Sequence, residues 1–171
     1  MNDISLKYKL LALDLDGTLT NSKKKISQRN IDAIRKAQKR GVKVILASGR
    51  PVLGIKPSAE KLDLYNEGGY ILAYNGGQII DCKTGKDLVL KLIPKKYYHN
   101  ICESGREFNI SLLTYNNIGV LAENDTDPYV IKEAFNNTIP VIKVDSLEQA
   151  VSKLPDNNGE VVKFMAVGEP D

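Results

Sequence analysis

Hydrophobic and polar positions fall into two alternating periods along the first half of this chain. Residues 8–13 (YKLLAL) form a short apolar run that stops at an acidic turn, which predicts a buried strand delivering Asp14 to its carboxyl end. Beyond Lys23, Lys24 and Lys25, Ser27 is placed to cap a helix, with Ile26 and Ile31 spaced as a hydrophobic staple. Ile31, Ile34 and Ala37 make the apolar stripe of that helix, and Gly41 falls where a left-handed C-terminal residue is wanted. Residues 42–47 (VKVILA) return to a strand pattern. Ser48, Gly49, Arg50 and Pro51 then turn the chain, with the proline suited to the first position of a helix reaching about Leu62. A third strand is predicted at residues 70–74, closed by Asn75, Gly76 and Gly77. Strand, helix, strand, helix, strand is the signature of a parallel sheet with right-handed crossovers. Ligands bind beyond the carboxyl ends of such strands, so the three polar strings that end these strands should share one rim.

Past residue 81 the pattern changes. Thr84 and Gly85 mark a turn, residues 88–93 a strand, and Tyr98, Ile101, Gly105 and Phe108 a helical stripe. Residues 110–115 and 118–122, joined by Asn116 and Asn117, read as a hairpin. Asp127 before Pro128 opens another helix, Ser146 with Gln149 forms a capping box, and Pro155 ends that helix ahead of a strand at residues 161–167. The expected organisation is an α/β part over residues 1–82 and an α+β part over residues 83–171, without repeats or low-complexity tracts.

Composition narrows the function classes. The 171 residues carry 24 Lys plus Arg against 21 Asp plus Glu, and 42% are apolar, enough for a core without disulfides or structural metal. Cys82 and Cys102 are too few for a secreted disulfide framework and form no CxxC pair, so free thiols and a cytoplasmic location are expected. No run approaches a membrane span, and the start, Met1 through Asp3, Lys7 and Lys9, lacks a signal-peptide core. The lysines are dispersed rather than gathered on one face with aromatic platforms, which argues against nucleic acid. His99, the only histidine, sits beside Tyr97 and Tyr98 on a helix surface with no evident partner.

DLDGTLT is the most informative string. Two carboxylates two residues apart beyond a strand can divide labour, one attacking or binding metal while the other moves protons. Gly17 allows a sharp turn, and Thr18 offers a hydroxyl and an N–H to an anion. A calcium loop does not fit, because Thr18, Leu19 and Lys25 occupy the positions where it needs a ligand, glycine and glutamate. Nor does a phospho-accepting receiver domain, because the run at residues 42–47 is followed by Ser48 rather than an aspartate. Ser48, Gly49 and Arg50 lie between a strand and a helix start, a setting that suits an oxyanion, and Arg50 adds a bidentate donor. Taken singly, each string also reads as ordinary turn or cap chemistry; their common register favours a site. The acids Glu123, Asp125 and Asp127 read as turn chemistry, and Lys23 to Lys25 as a solvated loop.

Together LLALDLDGTLT (10–20), ILASGR (45–50) and AYNGG (73–77) resemble the haloacid dehalogenase superfamily, in the spacing of its Cof-type phosphatases. The resemblance is strong over residues 8–82 and loose over the rest. It implies a Rossmann-like parallel sheet, here incomplete, with an inserted α+β cap domain. Carried over, it makes Asp14 the nucleophile that becomes an aspartyl-phosphate and Asp16 the general acid and base. Mg²⁺ would be held by the Asp14 carboxylate and the Asp16 backbone carbonyl. Ser48 and Gly49 would hold phosphoryl oxygens, with Arg50 and Asn75 facing a small phosphorylated metabolite such as a sugar phosphate. The family's later lysine and GDxxND-like turn have no counterpart, which points to an amino-terminal fragment that is weak or inactive alone. The resemblance also implies an uncovered edge on the first strand, and with it self-association. A non-catalytic phosphate- or partner-binding module is the alternative, and the physiological substrate is not legible.

Overall fold

The computed structural model describes residues 7–169; the opening of the polar start noted above lies outside them. It divides into two units, one up to residue 90 and one from residue 91. The first unit runs β1 (Leu10–Asp14), α1 (Gln28–Lys39), β2 (Lys43–Ala47), α2 (Val52–Lys61), a single turn α3 (Leu64–Glu67), β3 (Tyr70–Ala73), β4 (Gln78–Asp81) and β5 (Asp87–Leu90). Its sheet has the order β1-β2-β3-β4-β5. β1, β2 and β3 are mutually parallel as expected, whereas β4 and β5 add as antiparallel strands that the sequence reading lacked or placed later. Because β5 pairs with β4, the first unit extends past the expected boundary at residue 82, and the strand expected at 88–93 ends at Leu90.

Local signals act as expected at α1. Ser27 is extended, and its Oγ accepts the Asn30 N–H at 3.2 Å. Ile26 and Ile31 are both buried in one cluster, and the staple therefore sits at the helix entry. Ile31 and Ile34 face the core with Gln38, which reaches across to the Leu62 carbonyl at 3.0 Å. Pro51 is the N-cap of α2 rather than its first residue. The core gathers Ile31, Ile34, Val44, Leu46, Ile55 and Ile71; each fully buried side chain of this kind contributes roughly 1.5–3 kcal/mol. β1 departs from the buried strand its apolar run implied. Leu10 is 53% exposed and Ala12 is exposed too, because among the described residues β2 is the only neighbour of β1.

The second unit runs α4 (Tyr98–Glu107), β6 (Ser111–Tyr115), β7 (Val120–Ala122), α5 (Pro128–Asn137), β8 (Val141–Lys143), α6 (Leu147–Ser152) and β9 (Phe164–Val167). Its sheet order is β8-β7-β6-β9. β6 and β7 form the expected hairpin, whose turn is held by Asn116 Oδ1 accepting the N–H groups of Ile118 and Gly119. β8 was not foreseen, and β9 starts later than residue 161. The buried face of α4 is Tyr98, Cys102 and Gly105, while Phe108, expected in the stripe, is 67% exposed beyond the helix end. Among the described residues no helix is long and apolar enough to cross a membrane.

Candidate active site

Register assembles the site. Asp14 of β1 lies opposite Ala47 of β2, and Ala47 opposite Leu72 of β3, so the turns after the three strands leave the sheet side by side. Backbone hydrogen bonds tie the second and third turns together. Ser48 N–H donates to the Leu72 carbonyl at 2.9 Å, Asn75 N–H to the Ser48 carbonyl at 3.2 Å, and Tyr74 N–H to the Arg50 carbonyl at 3.0 Å. Ser48 is buried, and its Oγ accepts the Arg50 N–H.

Two backbone features demand particular residues. Gly17 has φ +74°, which lets the first turn close so that Leu19 N–H reaches the Asp14 carbonyl at 3.1 Å. At Gly49 a Cβ would run into Asn75 Oδ1, so the second turn must lack a side chain for Asn75 to lie against it. Tyr74, Asn75 and Gly76 all have positive φ, a strained run of the kind that concentrates at functional sites. Tyr74 is largely buried, which pushes its phenol up to about 12.

The first and second turns are joined by charge. Arg50 grips the Asp16 carboxylate with two prongs, Nε to Oδ2 at 2.8 Å and Nη2 to Oδ1 at 2.7 Å. Lys24 Nζ meets the same Oδ1 at 2.6 Å. The Arg50 hydrogen bonds, opposed by partial desolvation and reinforced by Lys24, hold the Asp16 carboxyl at about 2. Asp14 is exposed, and its carboxylate makes no hydrogen bond or ion pair among the described residues. Thr18 is also exposed and bonded to none of the others. Asp14, Asp16, Ser48, Gly49, Arg50 and Asn75 thus share one rim, with Thr18 on the first turn above it.

Lys24 is the site residue that sequence reasoning missed, since Lys23 to Lys25 looked like solvated loop. Its signal was Asn21, whose Oδ1 accepts the N–H groups of both Lys23 and Lys25 and folds the loop back over the acids. His99 likewise has a partner after all, Glu148 Oε2 at 3.4 Å. Cys82 and Cys102 are free and buried. Burial, reinforced by Asp81, pushes the Cys82 thiol up to about 11, and burial with Glu123 and Glu148 raises Cys102. In the second unit a cavity of about 200 Å³ between α4 and the ends of β6 and β7 contains none of the predicted site residues.

A sequence profile of haloacid dehalogenase-like hydrolases matches residues 11–164. A Streptococcus pyogenes serotype M6 protein whose name proposes a phosphatase is 28% identical over 97% of this chain and 60% of its own length. The 5-amino-6-(5-phospho-D-ribitylamino)uracil phosphatase of Bacillus subtilis is 30% identical over 82% of this chain and 57% of its own. A solved haloacid dehalogenase-like hydrolase from Bacteroides thetaiotaomicron superposes with a TM-score of 0.86 at 40% identity, covering 95% of this chain and 59% of that one. The chain therefore spans about 60% of the length of these relatives.

Proposed function

The chain belongs to the haloacid dehalogenase-like hydrolases, and on that premise we propose that it carries the phosphate-handling part of a Mg²⁺-dependent phosphatase for small phosphorylated metabolites such as sugar phosphates. One observation carries the reading: the Asp14–Ala47–Leu72 register sets an exposed carboxylate, unpaired among the described residues, beside a buried serine, a glycine and a clamped arginine. A relative named for a phosphate ester on a ribityl chain supports the substrate class.

In this reading an Asp14 oxygen attacks phosphorus and the ester P–O bond breaks, the leaving oxygen taking its proton from Asp16. Water then attacks the aspartyl-phosphate at phosphorus and returns a proton to Asp16, releasing phosphate and restoring Asp14. Splitting a slow hydrolysis in two lowers each barrier. Ser48 and Gly49 hold phosphoryl oxygens, with Thr18, Arg50 and Asn75 turned toward the substrate. Both Asp16 side-chain oxygens are engaged by Arg50 and Lys24, which leaves the Asp14 carboxylate and the Asp16 backbone carbonyl as donors for a hard cation. Mg²⁺ is commonly held by one or two carboxylates together with waters and phosphate oxygens, so this donor set suits it. No larger cluster of acidic, imidazole or thiol ligands occurs among the described residues. When bound, the ion supplies neutralisation of phosphoryl charge.

A second reading, a non-catalytic phosphate-binding module, rests on the same clamp: a carboxyl held at about 2 is ionised at neutral pH and has no proton to give while Arg50 and Lys24 stay in place. Turnover by the 171-residue chain is therefore expected to be weak. Mixing the chain with a chromogenic phosphate ester, with and without Mg²⁺, separates the two readings. Release of leaving group approaching one per chain, with phosphate mapped to Asp14, is expected of the enzyme; phosphate binding without label assigns the module. The edge of β1, which has no strand beside it among the described residues, also supports self-association by strand pairing, and a monodisperse monomer in light scattering would overturn it.

A further inference from the structure

We infer that Lys24 is a substrate-binding residue that exchanges partners, resting on Asp16 in the free protein and moving to the phosphoryl oxyanion when substrate arrives. The inference rests on the reading of this rim as a phosphate site. Three features of the structure support it.

The first is redundancy. Arg50 already binds both oxygens of Asp16, so the Lys24 contact to Oδ1 adds a second cation to an oxygen that has one. Asp16 keeps its bidentate partner if Lys24 leaves. The second is mobility of the right group. The Lys24 side chain is 42% exposed against 13% for Arg50, so the planar fork is fixed and the flexible ammonium is the cation free to move. An ion pair that exposed is weak, and a phosphate oxyanion is the stronger partner for an ammonium.

The third is that the backbone is built to hold Lys24 over the rim. Thr20 and Ile26, both buried, bridge to each other across the loop, and Thr20 also bridges to Asp16. Thr20 Oγ1 donates to the Leu15 carbonyl at 2.8 Å and anchors the loop's first arm. Asn21 closes the turn from inside, and Lys24 N–H returns to the Asn21 carbonyl at 2.8 Å. Lys24 sits at the tip with φ +57°, a conformation that favours glycine or asparagine in a plain turn. A lysine there at a conformational cost, with its head on the catalytic rim, is the arrangement of a functional side chain.

The test measures binding of inorganic phosphate by calorimetry at low salt, in the unaltered chain and in Lys24→Met, Lys24→Arg and Lys25→Met, with thermal midpoints recorded alongside. Lys25→Met removes the same charge from a neighbouring exposed lysine that does not touch Asp16. Lys24→Met is expected to weaken phosphate binding roughly tenfold with an unchanged midpoint, as loss of a charge-assisted hydrogen bond should. Lys24→Arg should restore most of the affinity, and Lys25→Met should change it less than about twofold, the scale of a screened distant charge. Equal affinity in Lys24→Met and the unaltered chain would make Lys24 a mere tether of Asp16, overturning the exchange but leaving the phosphate site standing. Equal losses from both Met variants would assign the effect to overall charge and overturn it as well. No phosphate binding by the unaltered chain would overturn the site reading and this inference together.

Discussion

The turn after β1 and the turn after β7 look alike in sequence, each setting acids at alternate positions beyond a strand, and the structure uses them in opposite ways. After β7 two of the three acids are committed to backbone N–H groups, and the third holds only a surface ion pair. Glu123 accepts the Leu147 N–H at 2.8 Å at the start of α6, and Asp125 pairs with Lys143 at 3.2 Å. Asp127 caps α5 through the N–H groups of Tyr129 and Val130 and also accepts the Ser111 hydroxyl. Burial opposes ionisation of Asp127, but those donors prevail and lower its pKa. After β1, among the described residues Asp14 is left unpaired and the Asp16 carboxylate is bound only by the side chains of Arg50 and Lys24, which can move away. An acid whose lone pairs are spent on backbone N–H groups holds a fold together; one whose lone pairs are unspent, or held by exchangeable cations, can meet a ligand.

The sharpest way to break this contrast is to neutralise one acid from each turn. Asp14→Asn should reduce phosphoryl labelling by on the order of 10³-fold or more, because the attacking oxygen is gone. Asp125→Asn should leave labelling within about twofold, since its partner is a surface lysine. Similar losses in both variants would erase the distinction.

A smaller effect is expected at Gly49. Gly49→Ala drives a Cβ into the Asn75 amide, and because Asn75 is an exposed side chain it can yield, at the expense of the rim's shape. Phosphate affinity should fall roughly tenfold, the worth of one misplaced charge-assisted contact. Adding Asn75→Ala should recover folding stability but not affinity. Recovery of both would show that Asn75 has no part in binding.

Stability sharpens the contrast from the other side. Asp127→Ala should cost about 1 kcal/mol in urea unfolding, the usual worth of a helix cap, with phosphate binding unchanged. A loss of binding would mean that the second turn also serves the site.

The smallest effect is the pH dependence of Asp16. Its carboxyl lies at about 2 in the folded chain against an ordinary 3.8. Its contribution is therefore fully present above roughly pH 4 and lost as pH falls through about 2. With the side chain 43% exposed, screening keeps this contribution below about 1 kcal/mol. Urea unfolding of the unaltered chain and Asp16→Asn at pH 5 and pH 2 should show a small stability difference that narrows at the lower pH. A difference that widens there would contradict the clamp.

The local elements of the first unit were legible because their signals are local. Ser27, the Ile26–Ile31 pair and the glycine at position 41 act within a few residues of one another, and a short-range rule suffices to read them. The parallel β1-β2-β3 arrangement followed from the alternation of strand and helix, which admits few topologies. β4 and β8 escaped notice because they are short strands stabilised by neighbours rather than by their own pattern. The α4 stripe was misjudged at its end, where Phe108 lies past the last turn and Cys102 takes the buried position.

The sequence by itself determined which residues stand at the ends of the first three strands, since strand ends and glycine turns are written in adjacent positions. Only the tertiary structure decided what those residues do to one another. The Arg50 grip on Asp16 joins segments 34 residues apart, and Lys24 reaches the same oxygen from a loop whose lysines read as solvated. Hydrogen bonds and ion pairs of that kind depend on distances of a few ångströms between segments brought together by packing, and one-dimensional spacing carries no record of them.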